Sequence, residues 1–201
     1  MSSADPIDDT IAAVRAGDRD LYVATLLAPA AARPALFALY GFDLALADVV
    51  RTTSEAPIGL IRLAWWRDAV AGPPIAGQPL LAAVRETAIE PAALAKLAEA
   101  HMDWLEGNAR PGALLFQLAG QLLDASSEGL EAAGSYWAAG QAARQGAVVA
   151  AEPPMTRFSA AARPVTALAA IAARDLAGRR EPRGSVGRQL AAFRHMLTGR
   201  I

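Results

Sequence analysis

The stretch PALFALYGFDLALADVVR, residues 34–51, carries only Asp43, Asp48 and Arg51 as charged side chains. Its apolar residues fall on every side of a 3.6-residue period and not along one stripe, which is the pattern of a helix enclosed by other helices. We read a long helix from Pro34 to Arg51 at the centre of a helical core. The wider apolar region from Leu21 to Val50 is broken by Pro29, Arg33, Pro34, Asp43 and Asp48. No clean run of the ~20 residues that span a bilayer remains, so a transmembrane segment is not expected.

Outward from this helix the composition points the same way. Alanine, the best helix former, makes up about a quarter of the 201 residues, and no segment alternates with period two. A chain of this length buries roughly 70% of its unfolded surface, enough for one core, so a single domain over 1–201 is expected. The absence of cysteine excludes a disulfide scaffold and a thiolate metal site. A net charge of -1 argues against a nucleic-acid partner. The first residues lack a basic region followed by an apolar stretch, so no signal or transit peptide is read and the expected location is cytoplasmic.

Proline, glycine and cap residues divide the chain into about eight to ten helices. The first has Asp5 as cap and Pro6 in its first turn, and ends at Gly17. Others run from about Asp18 to Leu27, Pro34 to Arg51, and from a Ser54 cap through Val70, with Gly72 beyond. A loop over 72–77 leads to helices at about Leu80 to Thr87, Pro91 to Glu106, Gly112 to Leu123 and Glu128 to Ala150. A helix from about Pro164 to Ala177 is apolar almost all round and should be internal. The last runs from about Ser185 to Leu197. Residues 1–20 hold five acids and two arginines, while residues 174–201 hold seven arginines and two acids. The simple reading of that polarity is two solvated ends.

Chemistry-bearing patterns are sparse. His101 and His195 lack a histidine partner three or four residues away, which leaves no histidine metal site; His101 is placed on the polar face of its helix and His195 among the C-terminal arginines. No nucleophile or phosphate-loop motif is present, and Ser126 and Ser127 read as turn residues. Asp43 and Asp48 are five apart, about 140° around a helix, and cannot share a metal. Asp48 has Arg51 at i+3 as an ion-pair partner.

The order Asp-Arg-Asp at 18–20, Arg-Pro-Ala-Leu-Phe-Ala-Leu-Tyr at 33–40, Ile-Gly-Leu-Ile-Arg-Leu at 58–63 and Trp65-Trp66-Arg67-Asp68-Ala69 resembles the squalene/phytoene synthase family. Within it, the likeness is to the branch that contains an assembly factor of mitochondrial complex I. It is strong over 18–70 and weaker over Gly140 to Pro153 and Arg163 to Ile201. The resemblance implies an all-α, isoprenoid-synthase-type domain, truncated in its C-terminal half. Active members hold Mg²⁺ between two acidic DDxxD motifs. The first falls here on Ala47-Asp48-Val49-Val50-Arg51, with one acid of three and one cation. The second falls near Ala150-Ala151-Glu152. The chain also passes almost directly from Glu152 to Arg163, where the family has further helices, and an opened cavity suits carbocation chemistry poorly.

The function implied is a non-catalytic protein that binds a protein partner, in respiratory complex assembly, with no catalytic residue, no metal and no cofactor. The alternative is a head-to-head prenyltransferase acting with Mg²⁺ on farnesyl or geranylgeranyl diphosphate. A third reading is a peripheral membrane or lipid-binding module that uses a retained apolar cavity for an isoprenoid or lipid and the C-terminal arginines for the membrane. Arg33, Tyr40 and Asp48 are the candidate substrate-binding residues if a pocket is kept, with packing or ion pairing as their other reading. Arg62, Trp65, Trp66 and Arg67 are the candidate partner-binding residues. The two tryptophans are 100° apart, so one can be core while the other meets a partner.

Overall fold

The computed structural model describes residues 6–201, which form ten α-helices and no strand. In order these are α1 (Pro6–Gly17), α2 (Arg19–Leu26), a 3-10 turn (Ala30–Ala32), α3 (Arg33–Thr52), α4 (Ala56–Ala71), α5 (Pro79–Arg85), α6 (Pro91–Leu105), α7 (Gly112–Gln121), α8 (Leu130–Arg144), α9 (Arg163–Leu176) and α10 (Val186–Thr198). Every expected helix is present. The Asp5 cap lies outside the described residues. Two local readings are corrected. The N-cap of α4 is Glu55, not Ser54, and it makes no side-chain cap bond. Helix α8 stops at Arg144 and not at 150, because Gly146 takes a φ of +97° that closes the helix, and the Ala147 N–H turns back to the Ala142 carbonyl. The segment 147–162 has no regular helix.

The chain gathers into two compact units, one of residues 1–17 and 34–111 and the other of residues 18–33 and 112–201. In the first, α3 is the central helix, buried from Leu36 through Asp43 and again at Leu46, Ala47 and Val49. Its neighbours explain why it is apolar all round. A methyl added at Gly41 would meet Thr10 of α1 at 2.9 Å and Leu80 of α5 at 3.0 Å. Phe42 stacks edge-on against Trp66 of α4 with centroids 5.9 Å apart, and Asp43 faces His101 of α6. Helices α4 and α6 pack where Gly59 lets Leu105 approach.

In the second unit α9 has the same role, buried from Pro164 to Ala172 and packed on α8, α10, α2 and α7. Small residues set the spacing. Gly140 of α8 lies against Ala172 of α9, and Gly112 at the start of α7 meets Gly134 of α8 backbone to backbone. Helix α10 is attached differently. Arg188, 1% exposed, donates from Nη1 and Nη2 to the Asp175 carboxylate of α9 at 2.6 and 2.9 Å, and from Nε to Asp20 of α2 at 2.9 Å. Burial alone would pull its guanidinium pKa down; hydrogen bonds to Asp175 and Asp20 outweigh that and raise it, so the charge is held. Nearby, Arg183 pairs with Asp18 and donates to Gln141 at 2.7 Å, while Arg144 donates to the Glu181 carbonyl at 2.7 Å. The acidic start and basic end are therefore not both solvated. Asp18 and Asp20 are buried and neutralised by Arg183 and Arg188.

The glycine contact gives a direct test. A Cβ at residue 134 would lie 2.2 Å from the Gly112 carbonyl oxygen, and backbone cannot move aside as a flexible side chain can. Gly134→Val is expected to cost about 3 kcal/mol, the upper end for overpacking, and to lower the melting temperature by roughly 6–12 °C. Gly146→Ala, in the positive-φ turn beyond α8, should cost only about 1 kcal/mol.

Candidate functional site

The positions aligned with the first acidic motif lie on α3, where packing has taken one side and solvent the other. Ala47 is fully buried. Asp48 is exposed, and its Oδ1 accepts from Arg51 at 3.3 Å, the i+3 pair expected from spacing. Ala150, Ala151 and Glu152 lie in the irregular segment after α8. Mg²⁺ demands near-octahedral oxygen ligation, usually with more than one carboxylate or phosphate oxygen. Each motif position offers one carboxylate, and that of Asp48 is engaged by a cation. Among the described residues no group of three or more His, Asp or Glu converges as metal ligands would. The donor set does not fit the ion.

Arg33 and Tyr40 serve packing in this structure. The Arg33 Nε donates to the Ala28 carbonyl at 2.9 Å, closing the turn before α3. Tyr40 is buried, and its phenol is pushed well above the ordinary tyrosine range by burial and by the neighbouring Asp43 charge. Tyr40 and Asp48, eight residues apart on α3, do not meet; one is core and the other is solvated.

Beside Tyr40 lies a buried polar cluster. Asp43 accepts from Arg110 Nη2 at 2.5 Å, and its other oxygen is 3.3 Å from His101 Nε2. His101 Nδ1 donates to the Leu97 carbonyl at 2.8 Å, and the Arg110 guanidinium sits 5.4 Å from the Trp104 ring centre. This corrects the placement of His101 on a polar face: the ring has no solvent exposure. Burial alone would push the Asp43 carboxyl up, but the Arg110 charge and the His101 contact overcome it and hold it at about 2. The carboxylate charge is balanced within this unit by Arg110.

The partner-binding candidates gather on α4. Gly59, Leu63 and Val70 face inward, while Ile58, Ile61 and Trp65, spaced by three and four, form a second apolar stripe that is 48%, 70% and 43% exposed. Trp65 and Trp66 meet edge to face at 5.0 Å, and Trp66 is braced by Phe42. Neither tryptophan is core; Trp66 is half-buried and Trp65 is the outer one. Arg62 reaches Thr53 at 3.2 Å, and Arg67 pairs with Asp68 at 2.8 Å. The surface is a rigid aromatic anchor with apolar flanks and two arginines, the composition enriched at binding hot spots.

The squalene/phytoene synthase family profile matches residues 14–182. The chain belongs to that family. Over 57 residues it is 40% identical to NADH dehydrogenase (ubiquinone) complex I, assembly factor 6, of Homo sapiens. That stretch covers 28% of this chain and 17% of the human protein. No solved structure matches. Among the described residues no helix is long and apolar enough to cross a membrane.

Sequence reading did not find the Asp43, His101 and Arg110 cluster. The available signal was Asp43 within an otherwise apolar helix, since a lone acid there needs a buried cation. Its behaviour with pH follows. The folded pKa of about 2 lies below the ordinary aspartate value of 3.8, so ionised Asp43 adds stability above pH 4 that is lost as pH falls toward 2. That linkage amounts to about 2 kcal/mol. Asp43→Asn strands a buried cation and should cost about 3 kcal/mol at pH 7. Denaturant midpoints of the two proteins should differ most above pH 4 and converge toward pH 2; a gap independent of pH contradicts this assignment.

Proposed function

We propose that this chain is a member of the squalene/phytoene synthase family that carries out no prenyl transfer, binds no metal, and acts by binding a protein partner during assembly of a respiratory complex. The observation that carries the reading is the donor set at the metal-motif positions: Ala47 inside the core, Asp48 paired with Arg51, and two alanines ahead of Glu152. Two oxyanion-rich substrates cannot be held by one neutralised carboxylate and one acid on an irregular segment. The partial likeness to a protein named as a complex I assembly factor supports the kind of process. The exposed Ile58, Ile61 and Trp65 stripe supports α4 as the contacting surface.

Two measurements test this reading. Purified chain incubated with Mg²⁺ and farnesyl or geranylgeranyl diphosphate should release no pyrophosphate above a heat-inactivated control; release above that control overturns the non-catalytic reading. Deleting the chain from its own cell should lower the amount of an assembled respiratory complex, and re-expression should restore it. The double change Trp65→Ala with Arg67→Ala should lower stability by no more than about 1.5 kcal/mol, the worth of the lost edge contact with Trp66, and leave the chain folded. It should fail to restore assembly, since losing a hot-spot aromatic costs about 2 kcal/mol, near 30-fold in affinity. Full restoration by that variant removes α4 from the interface.

A further inference from the structure

Helix α10 is inverted. Its buried residues are Arg188, Ala192 and His195, whereas Val186, Leu190, Phe193 and Leu197 are 72%, 62%, 56% and 67% exposed. At 100° per residue those four fall within about 60° of arc, diametrically opposite the Arg188 and His195 side. The inward polar groups are satisfied. Arg188 is held by Asp20 and Asp175, and His195 bonds through Nε2 to Thr166 Oγ1 at 2.8 Å and through Nδ1 to the Arg200 carbonyl at 3.0 Å. The helix is thus anchored by its polar side, and the apolar side takes no part in that anchorage.

The spacing of the outward residues is four, three, four, which is the a/d repeat of a helix that pairs with another helix. A stripe of about 60° is that narrow seam; helices lying in a membrane interface present a broader apolar face. The surroundings set the charge of the partner. Arg194 is exposed directly beside the stripe and Arg200 just beyond the helix, and neither makes an ion pair among the described residues. From residue 153 to the end the acids are Asp175 and Glu181, and both are paired internally. Alongside runs an open groove of about 580 Å³, lined by Ala170, Leu190 and Ala191, with Arg174, Arg194 and Arg200 about it. A second copy of this chain supplies no carboxylate to that edge, since antiparallel pairing of two α10 helices sets Arg194 opposite Gln189.

We infer that α10 is a docking helix for an amphipathic helix of a partner protein, one whose apolar seam packs on Val186, Leu190, Phe193 and Leu197 and whose flanks carry carboxylates opposite Arg194 and Arg200. The residues of this surface are not those of α4 or of the metal-motif positions, and its failure would leave the proposed function untouched.

The test uses the full chain and a labelled four-heptad peptide with leucine at a and d and glutamate at e and g. Mutual repulsion keeps such a peptide monomeric. Fluorescence anisotropy should show saturable binding, at least tenfold tighter than for the same peptide with lysine at e and g. Leu190→Ala with Phe193→Ala should weaken binding at least tenfold with an unchanged melting temperature, because both side chains are exposed. Arg194→Glu should narrow or reverse the preference between the two peptides. Equal binding of both peptides by the unmodified chain overturns the inference, as does binding that survives the Leu190 and Phe193 changes. It is also overturned if neither peptide binds and vesicles of phosphatidylglycerol and phosphatidylcholine take up the chain through this face, or if sedimentation shows a dimer that Leu190→Ala dissolves.

Discussion

Arg188 is the point on which the C-terminal half of the molecule turns. Its guanidinium has carboxylates from two different helices around it, Asp175 in a bidentate pair and Asp20 through Nε, and it is almost wholly buried. An ion pair of this kind is a weak source of net stability, because desolvation offsets much of the attraction. It is a strong source of orientation. Apolar packing tolerates rotation of a helix by tens of degrees, but three directed bonds to two fixed carboxylates do not. Once Arg188 points inward, the seven-residue separation places His195 on the same side, and the leucines and Phe193 must face out.

A contrasting logic governs the interiors. Helices α3 and α9 are enclosed by small and apolar residues over Leu36–Asp43 and Pro164–Ala172, and glycines at 112, 134 and 140 let neighbouring helices approach to backbone distance. Packing of that density leaves little freedom for other work on the same faces. On α3 the inward face holds Phe42, Leu46 and Ala47, while Asp48 and Arg51 on the outer side satisfy each other. Asp43, buried within α3, is paired with Arg110, and its other oxygen faces His101. The positions aligned with the family's metal motifs hold Ala47, Asp48 paired with Arg51, and Glu152 behind two alanines.

The helices were legible because their punctuation is local: Pro57, Pro79, Pro91 and Pro164 sit in first turns, and Gly72 and Gly199 follow helix ends. The internal positions of α3 and α9 followed from hydrophobicity around the whole helix. The overrun of α8 to residue 150 came from reading an alanine-rich tail as helix, when Gly146 had already ended it. Pairings were the hidden part. Asp20 meets Arg188 across 168 residues of sequence, so the acidic start and basic end looked like two solvated segments. His101 was misplaced for the same reason, since its partner Asp43 lies on another helix. The outward stripe of α10 is visible as spacing, but spacing does not say which side faces in. Arg188 decides that, and its partners are known only from the fold. On α4, the spacing of Trp65 and Trp66 left one of them free to face outward, whereas their edge-to-face contact and the bracing of Trp66 by Phe42 needed the structure.

The most direct test is hydrogen–deuterium exchange of the α10 amides in two variants of the full chain. Arg188→Met leaves Asp20 and Asp175 buried without their shared cation, with only the longer contacts to Arg183 at 3.9 Å and Arg144 at 3.3 Å, a loss of about 3–5 kcal/mol of docking. Residues 186–198 should then exchange at close to the rate of unfolded chain while α3 and α6 keep their protection. Leu190→Ala with Phe193→Ala removes only outward side chains and should leave α10 protected as in the unmodified protein. If α10 instead stays protected in Arg188→Met and loses protection when Leu190 and Phe193 are replaced, it is held by its apolar face, and the polar-inward account is wrong.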